Sequence, residues 1–199
     1  MSRILTMSRA GREALDWEME RRPEIFCLGE DVFKFGGIFG TMDGFGAKYG
    51  PERVISTPIS ETGFIGMAAG AAMAGMHPVV DLAYIDFIGV CYNVLLNCAS
   101  KTHYMSGGAV KVPMTLLIGT GGGYNNAAQH SQCLHATVAH IPGAKVVYPS
   151  NAYDAKGMLH TALRDENFVI FLTHKGTAGV GWMGTPIKTT LAEVPEEPY

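Results

Sequence analysis

Four short runs, IFCLGE (25–30), PVVDLA (78–83), PMTLLIG (113–119) and FVIFLTHK (168–175), are almost continuously apolar, and helical spacing separates each from the next. Two weaker runs, RVISTP (53–58) and AKVVYPS (144–150), fall into the same rhythm. A strand that is apolar on both of its faces must be covered on both, which is the signature of a parallel sheet between two helical layers. The expected fold is therefore α/β, three layers, with a mainly parallel sheet. Helices are expected from Ser8 to Arg22, stopped by Pro23, then around 43–49, over 60–75, 87–105, 131–140 and 151–165. From Gly176 onward periodicity is lost. The chain then divides into a domain over 1–175 and an extended arm over 176–199, which stops without a capping element, as though something should follow.

Composition narrows the function classes. The chain has 199 residues, a net charge of −3 and no basic cluster longer than Arg21-Arg22, which disfavours nucleic-acid binding. Only 17% of the residues are charged and 25 are glycine, so little of the surface is purely solvating, and cover by another chain is expected. Cys27, Cys91, Cys98 and Cys133 show no CxxC spacing, the usage of a reducing compartment. The N-terminal stretch reads as an amphipathic helix and not as a signal peptide. The longest apolar run, 65–76, is too short and glycine-rich to span a bilayer. A soluble cytoplasmic protein without membrane contact is the expectation.

Ligands of such sheets sit at the carboxyl ends of the strands, and three unusual loops fall there: SETG, YIDF and TGGGYNNAAQHSQ. In SETGFIGMAAGAAMAG (60–75) a lone acid, Glu61, opens a helix made almost entirely of small residues. The helix N-terminus favours its anion, while apolar surroundings favour the neutral acid. A capping role behind Ser60 is the simplest reading. Gly66, Ala69, Gly70 and Ala74 form a small-residue stripe, however, on which a second helix could pack closely, across a subunit boundary. Gly119 to Gly123 lacks both the lysine of a phosphate-cradling loop and the third glycine of a dinucleotide fingerprint, where Tyr124 stands. His130, His135 and His140 recur every five residues, which turns a helix by about 140° and points successive members apart, so a metal site is not expected. His130 by itself is a candidate acid or base at a strand-to-helix loop. Phe87 is a core aromatic or a stacking platform for a flat heterocycle.

Together these residues resemble the pyrimidine-binding half of thiamine diphosphate enzymes. The pattern is Glu61-TGFI-Gly66-Met67-AA-Gly70-Ala71, supported by GEDV (29–32), KTHYMSGG (101–108), AAQHSQ (127–132), PGAKVVYPS and ALRDEN (162–167). Over residues 7–175 the chain is most similar to beta subunits of the 2-oxo acid dehydrogenase first component, with IDFIGVCYN and FLTHK nearest the acetoin branch. The resemblance implies that Glu61 hydrogen-bonds a pyrimidine ring nitrogen and so activates the cofactor. It implies that Phe87 stacks on that ring, that Ile59 contacts the cofactor, and that His130 assists proton transfer near the substrate. It also implies a potassium site in some members, matched here by carbonyls of Met114, Ala162, Leu163, Asp165 and Asn167. The diphosphate–Mg²⁺ motif has no counterpart in this sequence. An alpha subunit is expected to supply it, beside a second beta subunit and a lipoyl acyltransferase core. The chain ends about where a family C-terminal domain would begin, as a fragment, a split gene product or a truncated chain. Three other readings remain open: half of a split transketolase, a Rossmann-like nucleotide-binding module, and a non-catalytic scaffold.

Overall fold

The computed structural model describes residues 3–123, 125–180 and 186–199. Strand β1 (Arg3–Leu5) leads into helix α1 (Met7–Arg21). Thr6 caps α1 by accepting from the Arg9 N–H, and Arg22 leaves the helix in the extended backbone that a following proline demands. Then come β2 (Ile25–Gly29), the short helices α2 (Val32–Phe35) and α3 (Phe45–Tyr49), β3 (Val54–Ser56), α4 (Glu61–Met73) and β4 (His77–Tyr84). A 3₁₀ turn over Ile85–Phe87 opens α5 (Ile88–Asn93), which continues as a π-helical turn over Val94–Ala99. Helix α6 (Thr102–Met105), β5 (Thr115–Thr120), α7 (His135–Ala139), β6 (Lys145–Val147), α8 (Ala152–Leu163) and β7 (Val169–His174) complete the layers.

Six strands form one sheet in the order β3-β2-β4-β5-β7-β6. Every pairing in it is parallel. Period-two alternation sends successive residues to opposite faces. Phe26, Leu28, Val80, Leu82, Leu116 and Ile118 join one apolar cluster with Phe64, Ile65 and Ala68 of α4 and Ile88 and Cys91 of α5. Ile25, Cys27, Val79 and Leu117 join the other cluster, with Leu15 and Met19 of α1 and Leu159 and Leu163 of α8. The expected three-layer α/β arrangement is what forms. On the second face α1 and α8 are also tied by Glu18, which accepts from His160 Nδ1 at 2.8 Å and from Arg164 Nη2 at 2.7 Å. Burial would raise the Glu18 carboxyl, but these donors hold it below the usual range.

Two expected helices are shorter in the structure. The run expected as one helix over 87–105 is broken: the Ser100 N–H reaches back to Leu95 O at 3.2 Å, a five-residue step, and the Ser100 hydroxyl donates to the same oxygen. The helix expected over 131–140 begins only at His135. Upstream, Gln132 O accepts from the Gly121 N–H and the Gln132 N–H donates to Asp86 Oδ1, so this backbone pairs across the strand ends and not along a helix.

The stretch read as an arm carries β8 (Ala178–Val180), β9 (Pro186–Thr189) and β10 (Ala192–Val194). β8 pairs with β9, and β10 pairs antiparallel with β1. The four cysteines are free thiols. No helix among the described residues is long and apolar enough to cross a membrane.

Candidate active site

The chain runs from β2 outward to β3 and returns to β4 on the other side of β2, so the sheet reverses its winding between β2 and β4. A crevice opens at the carboxyl ends of strands at such a reversal. Glu30 follows β2, Glu61 follows β3, Phe87 follows β4, His130 lies in the loop after β5, and Lys175 follows β7. All five therefore lie at the same end of the sheet.

Glu61 is the first residue of α4 and is 8% exposed. The expected cap does not form: Ser60 makes no side-chain capping bond and its hydroxyl instead donates to Pro58 O at 3.1 Å. The Glu61 carboxylate has no hydrogen-bond or ion-pair partner among the described residues. Its surroundings are unfavourable to a second anion. The Glu30 carboxyl is raised above its ordinary value, first by burial and then by the nearby Glu61 charge. The Cys91 thiol is pushed up to about 12, mainly by burial, with Glu61 contributing. Thr62 ties this corner to α5 by donating to Val90 O at 2.7 Å. The residue is enclosed while its carboxylate oxygens stay open to the crevice, and such an acid at a helix N-terminus beside an apolar wall fits a ligand that brings a protonatable ring nitrogen.

β4 carries an irregularity in its pairing with β5 between Asp81 and Tyr84, where Ala83 adopts a φ of 61° and its N–H is held by Asp81 Oδ1 at 2.8 Å. Such a bulge bends the strand end and re-aims the side chains that follow. Those side chains form an aromatic cluster. The Phe87 ring meets the His130 ring edge-on at 5.3 Å, and Tyr84 meets His130 at 4.5 Å and Phe87 at 5.5 Å. The structure thus brings Phe87 and His130 together. Ile59, on the loop before α4, is 81% exposed.

The small-residue stripe is divided. Ala69 is fully buried against the core, whereas a Cβ at Gly66 or Gly70 would meet nothing within 4 Å. The open face of α4 is formed by Gly63, Gly66, Met67, Gly70 and Ala74, with exposed Ile59 and Val90 nearby.

The carbonyl group matched to a potassium site gathers at the end of α8, where three of its five oxygens accept protein donors. Arg22 Nη1 donates to Leu163 O, Val169 N–H to Met114 O, and Asp165 N–H to Ala162 O. The Asp165 carboxylate takes Lys145 Nζ at 2.6 Å and Asn167. Arg22 thus brings a positive charge to one of these carbonyls, that of Leu163. Elsewhere, no set of three or more His, Cys, Asp or Glu among the described residues could hold a metal ion. Tyr124, which breaks the dinucleotide fingerprint, lies outside the described residues.

A doubly wound sheet with an unpartnered acid and an aromatic cluster at its carboxyl ends defines the class. The chain belongs to the family of the transketolase pyrimidine-binding domain, whose model matches residues 4–179. Among curated relatives, it is 42% identical over 209 residues to the beta subunit of an acetoin:2,6-dichlorophenolindophenol oxidoreductase from Cupriavidus necator, covering 100% of this chain and 59% of that one. It is 44% identical over 171 residues to the pyruvate dehydrogenase E1 component subunit beta of Rickettsia conorii, covering 86% of this chain and 52% of that one. The chain therefore spans between half and three-fifths of the length of these relatives. In fold it is similar to a transketolase from Leishmania mexicana, at a TM-score of 0.70 and 16% identity over 87% of this chain and 25% of that one. It is also similar in fold to a split-gene transketolase described as an inactive beta4 tetramer, at 0.68 and 22% over 92% and 56%.

Sequence reasoning missed Tyr84, Asp86 and Lys175, and gave Glu30 no role of its own. Tyr84 and Asp86 stand in the YIDF loop that Phe87 had singled out. Lys175 had one readable signal, a lysine closing an otherwise apolar strand.

Proposed function

We propose that this chain supplies the pyrimidine-binding half of a thiamine diphosphate-dependent enzyme of the 2-oxo acid or acetoin dehydrogenase type, which cleaves its substrate oxidatively and passes the acyl group to lipoamide. The observation that carries this reading is Glu61, a largely enclosed residue at a helix N-terminus whose carboxylate faces the crevice without a partner among the described residues. Glu61 would share a proton with the N1′ ring nitrogen of the aminopyrimidine, Phe87 would stack on that ring, and Ile59 would contact its edge. Bound thiamine diphosphate supplies the nucleophilic carbon that attacks a carbonyl. His130 would hold or deliver a proton on the substrate side, since its imidazole nitrogens have no hydrogen-bond partner among the described residues.

The partners follow from the same reading. An alpha subunit carrying the diphosphate–Mg²⁺ motif would complete the site, a second beta subunit would pack on the open face of α4, and a lipoyl acyltransferase core would receive the product. The cytoplasm is the compartment we assign. The relatives' names support a dehydrogenase over a split transketolase, because the transketolase likeness is one of fold.

The test is reconstitution with the alpha subunit, thiamine diphosphate and Mg²⁺, supplying pyruvate, branched 2-oxo acids and acetoin in turn, with sugar phosphates as the transketolase control. Glu61→Gln should lower turnover by about a hundredfold or more while assembly survives. Full activity in that variant would overturn the assignment and favour a scaffold.

A further inference from the structure

His130 closes a single 3₁₀ turn (Ala128–His130) in the long loop after β5, yet a proton-handling group has to be held to within about half an ångström of its working position. One such turn cannot anchor itself. What does hold the loop is a buried ion pair that the reaction chemistry leaves unused. Lys175 is fully buried and the Asp86 side chain is 2% exposed, with Lys175 Nζ 3.4 Å from Asp86 Oδ2. The two side chains divide the loop between them. Lys175 Nζ donates to the carbonyl of His130, and Asp86 Oδ1 accepts from the Gln132 N–H at 3.2 Å. The same ammonium lies 5.1 Å from the centre of the Tyr84 ring, on which the His130 imidazole rests edge-on.

We propose that Lys175 and Asp86 are positioning residues for His130, a two-armed clamp on the backbone at and just after it that fixes where the imidazole stands against Phe87. The clamp spans three strand ends: Asp86 after β4, His130 after β5 and Lys175 after β7. Burying such a pair gains little stability over an apolar pair of the same size, whereas a role in fixing one conformation explains its place. Burial pulls the Lys175 ammonium below its ordinary range, and the Asp86 carboxylate resists that pull. Removing either partner therefore strands the other in a dry site.

This inference rests on the reading of His130 as the site's proton-handling group, so its test reads the loop as well as the reaction. Lys175→Met, Lys175→Arg and Asp86→Asn are to be made in the assembled complex and labelled at histidine Cε1. Lys175→Met should move or broaden the His130 resonance and speed amide exchange over 128–132. It should lower kcat by ten- to a hundredfold, the scale of a misplacement of about 1 Å. Thiamine diphosphate affinity should stay within about twofold, since Glu61 and Phe87 are untouched. Lys175→Arg, which keeps a buried donor, should recover part of the loss. His130→Ala combined with Lys175→Met should be no slower than His130→Ala alone, because one residue acts through the other. An unchanged His130 resonance and exchange rate in Lys175→Met would overturn the clamp. So would losses of kcat and cofactor affinity in parallel, or a double variant slower than His130→Ala. If the wild-type complex turns over none of the substrates, the proposed function falls, while the resonance and exchange data still decide the clamp.

Discussion

Replacing Asp81 by asparagine isolates the ionisation of a carboxyl enclosed within the sheet. Asp81 lies on the central strand β4, where burial pushes its carboxyl from an ordinary 3.8 up to about 6. The Ala83 N–H resists that rise and Glu30 adds to it. A carboxyl raised in the folded state stabilises the fold in its protonated form. Its contribution is full below 3.8 and lost as the pH climbs through about 6. The gap between the two values corresponds to about 3 kcal/mol. Asparagine keeps an acceptor for the Ala83 N–H but cannot ionise. The stability of Asp81→Asn relative to wild type should therefore grow with pH, by about 2 kcal/mol between roughly pH 4.5 and 8. Any offset at the acid end reports only how the amide fits. Urea unfolding followed by circular dichroism at each pH reads the difference. A second buried group on β4 sharpens the test. Burial pulls the His77 imidazole down from 6.5 to about 4, so its contribution is full above 6.5 and lost as the pH falls through about 4. In wild type the two contributions nearly cancel between about pH 4 and 6. Asp81→Asn should uncover the His77 slope, approaching 1.4 kcal/mol per pH unit. A difference that stays level or shrinks as the pH rises would refute the reasoning.

Two further outcomes test the periphery of the domain. Lys156 is 1% exposed and donates to the carbonyls of Pro195 at 2.6 Å and Glu196 at 2.7 Å. Lys156→Met should speed amide exchange at Ala192–Val194 by about tenfold or more with the six-stranded sheet unaffected, and unchanged exchange there would deny Lys156 a latching role. Exchanging sodium for potassium should leave the wild-type melting temperature where it is, because Arg22 already serves the Leu163 carbonyl, and Arg22→Ala should lose about 1–2 kcal/mol. A rise in melting temperature with potassium alone would show that the cation competes successfully with the guanidinium.

Much of this molecule is legible in its residue order. The continuous apolar runs IFCLG and TLLIG, helical spacing in α1 and α8, and Pro23 as a stop are all local effects, so they fix the elements and the three-layer class without tertiary contacts. Glu61 and His130 could be singled out for the same reason, since a lone acid in a small-residue helix and a histidine in a polar loop are visible one segment at a time. The shortening of α7 could not be read, because it depends on Gln132 bonding to Gly121 and Asp86, residues far from it in sequence. Nor could the failure of Ser60 to cap α4, its hydroxyl turning back to Pro58 O instead.

By itself, then, the sequence determined the alternation of strands and helices, the lone acid and the family pattern around it. Only the tertiary structure decided which side chains share the crevice. The strand order places β2 and β4 side by side, and the bulge before Tyr84 turns Phe87 toward His130. Lys175 and Asp86, 89 residues apart, become a buried pair because parallel strands bring their carboxyl ends to one edge. The physical reason is range: propensity and periodicity act over a few residues, whereas burial and pairing of charge depend on the whole packed sheet.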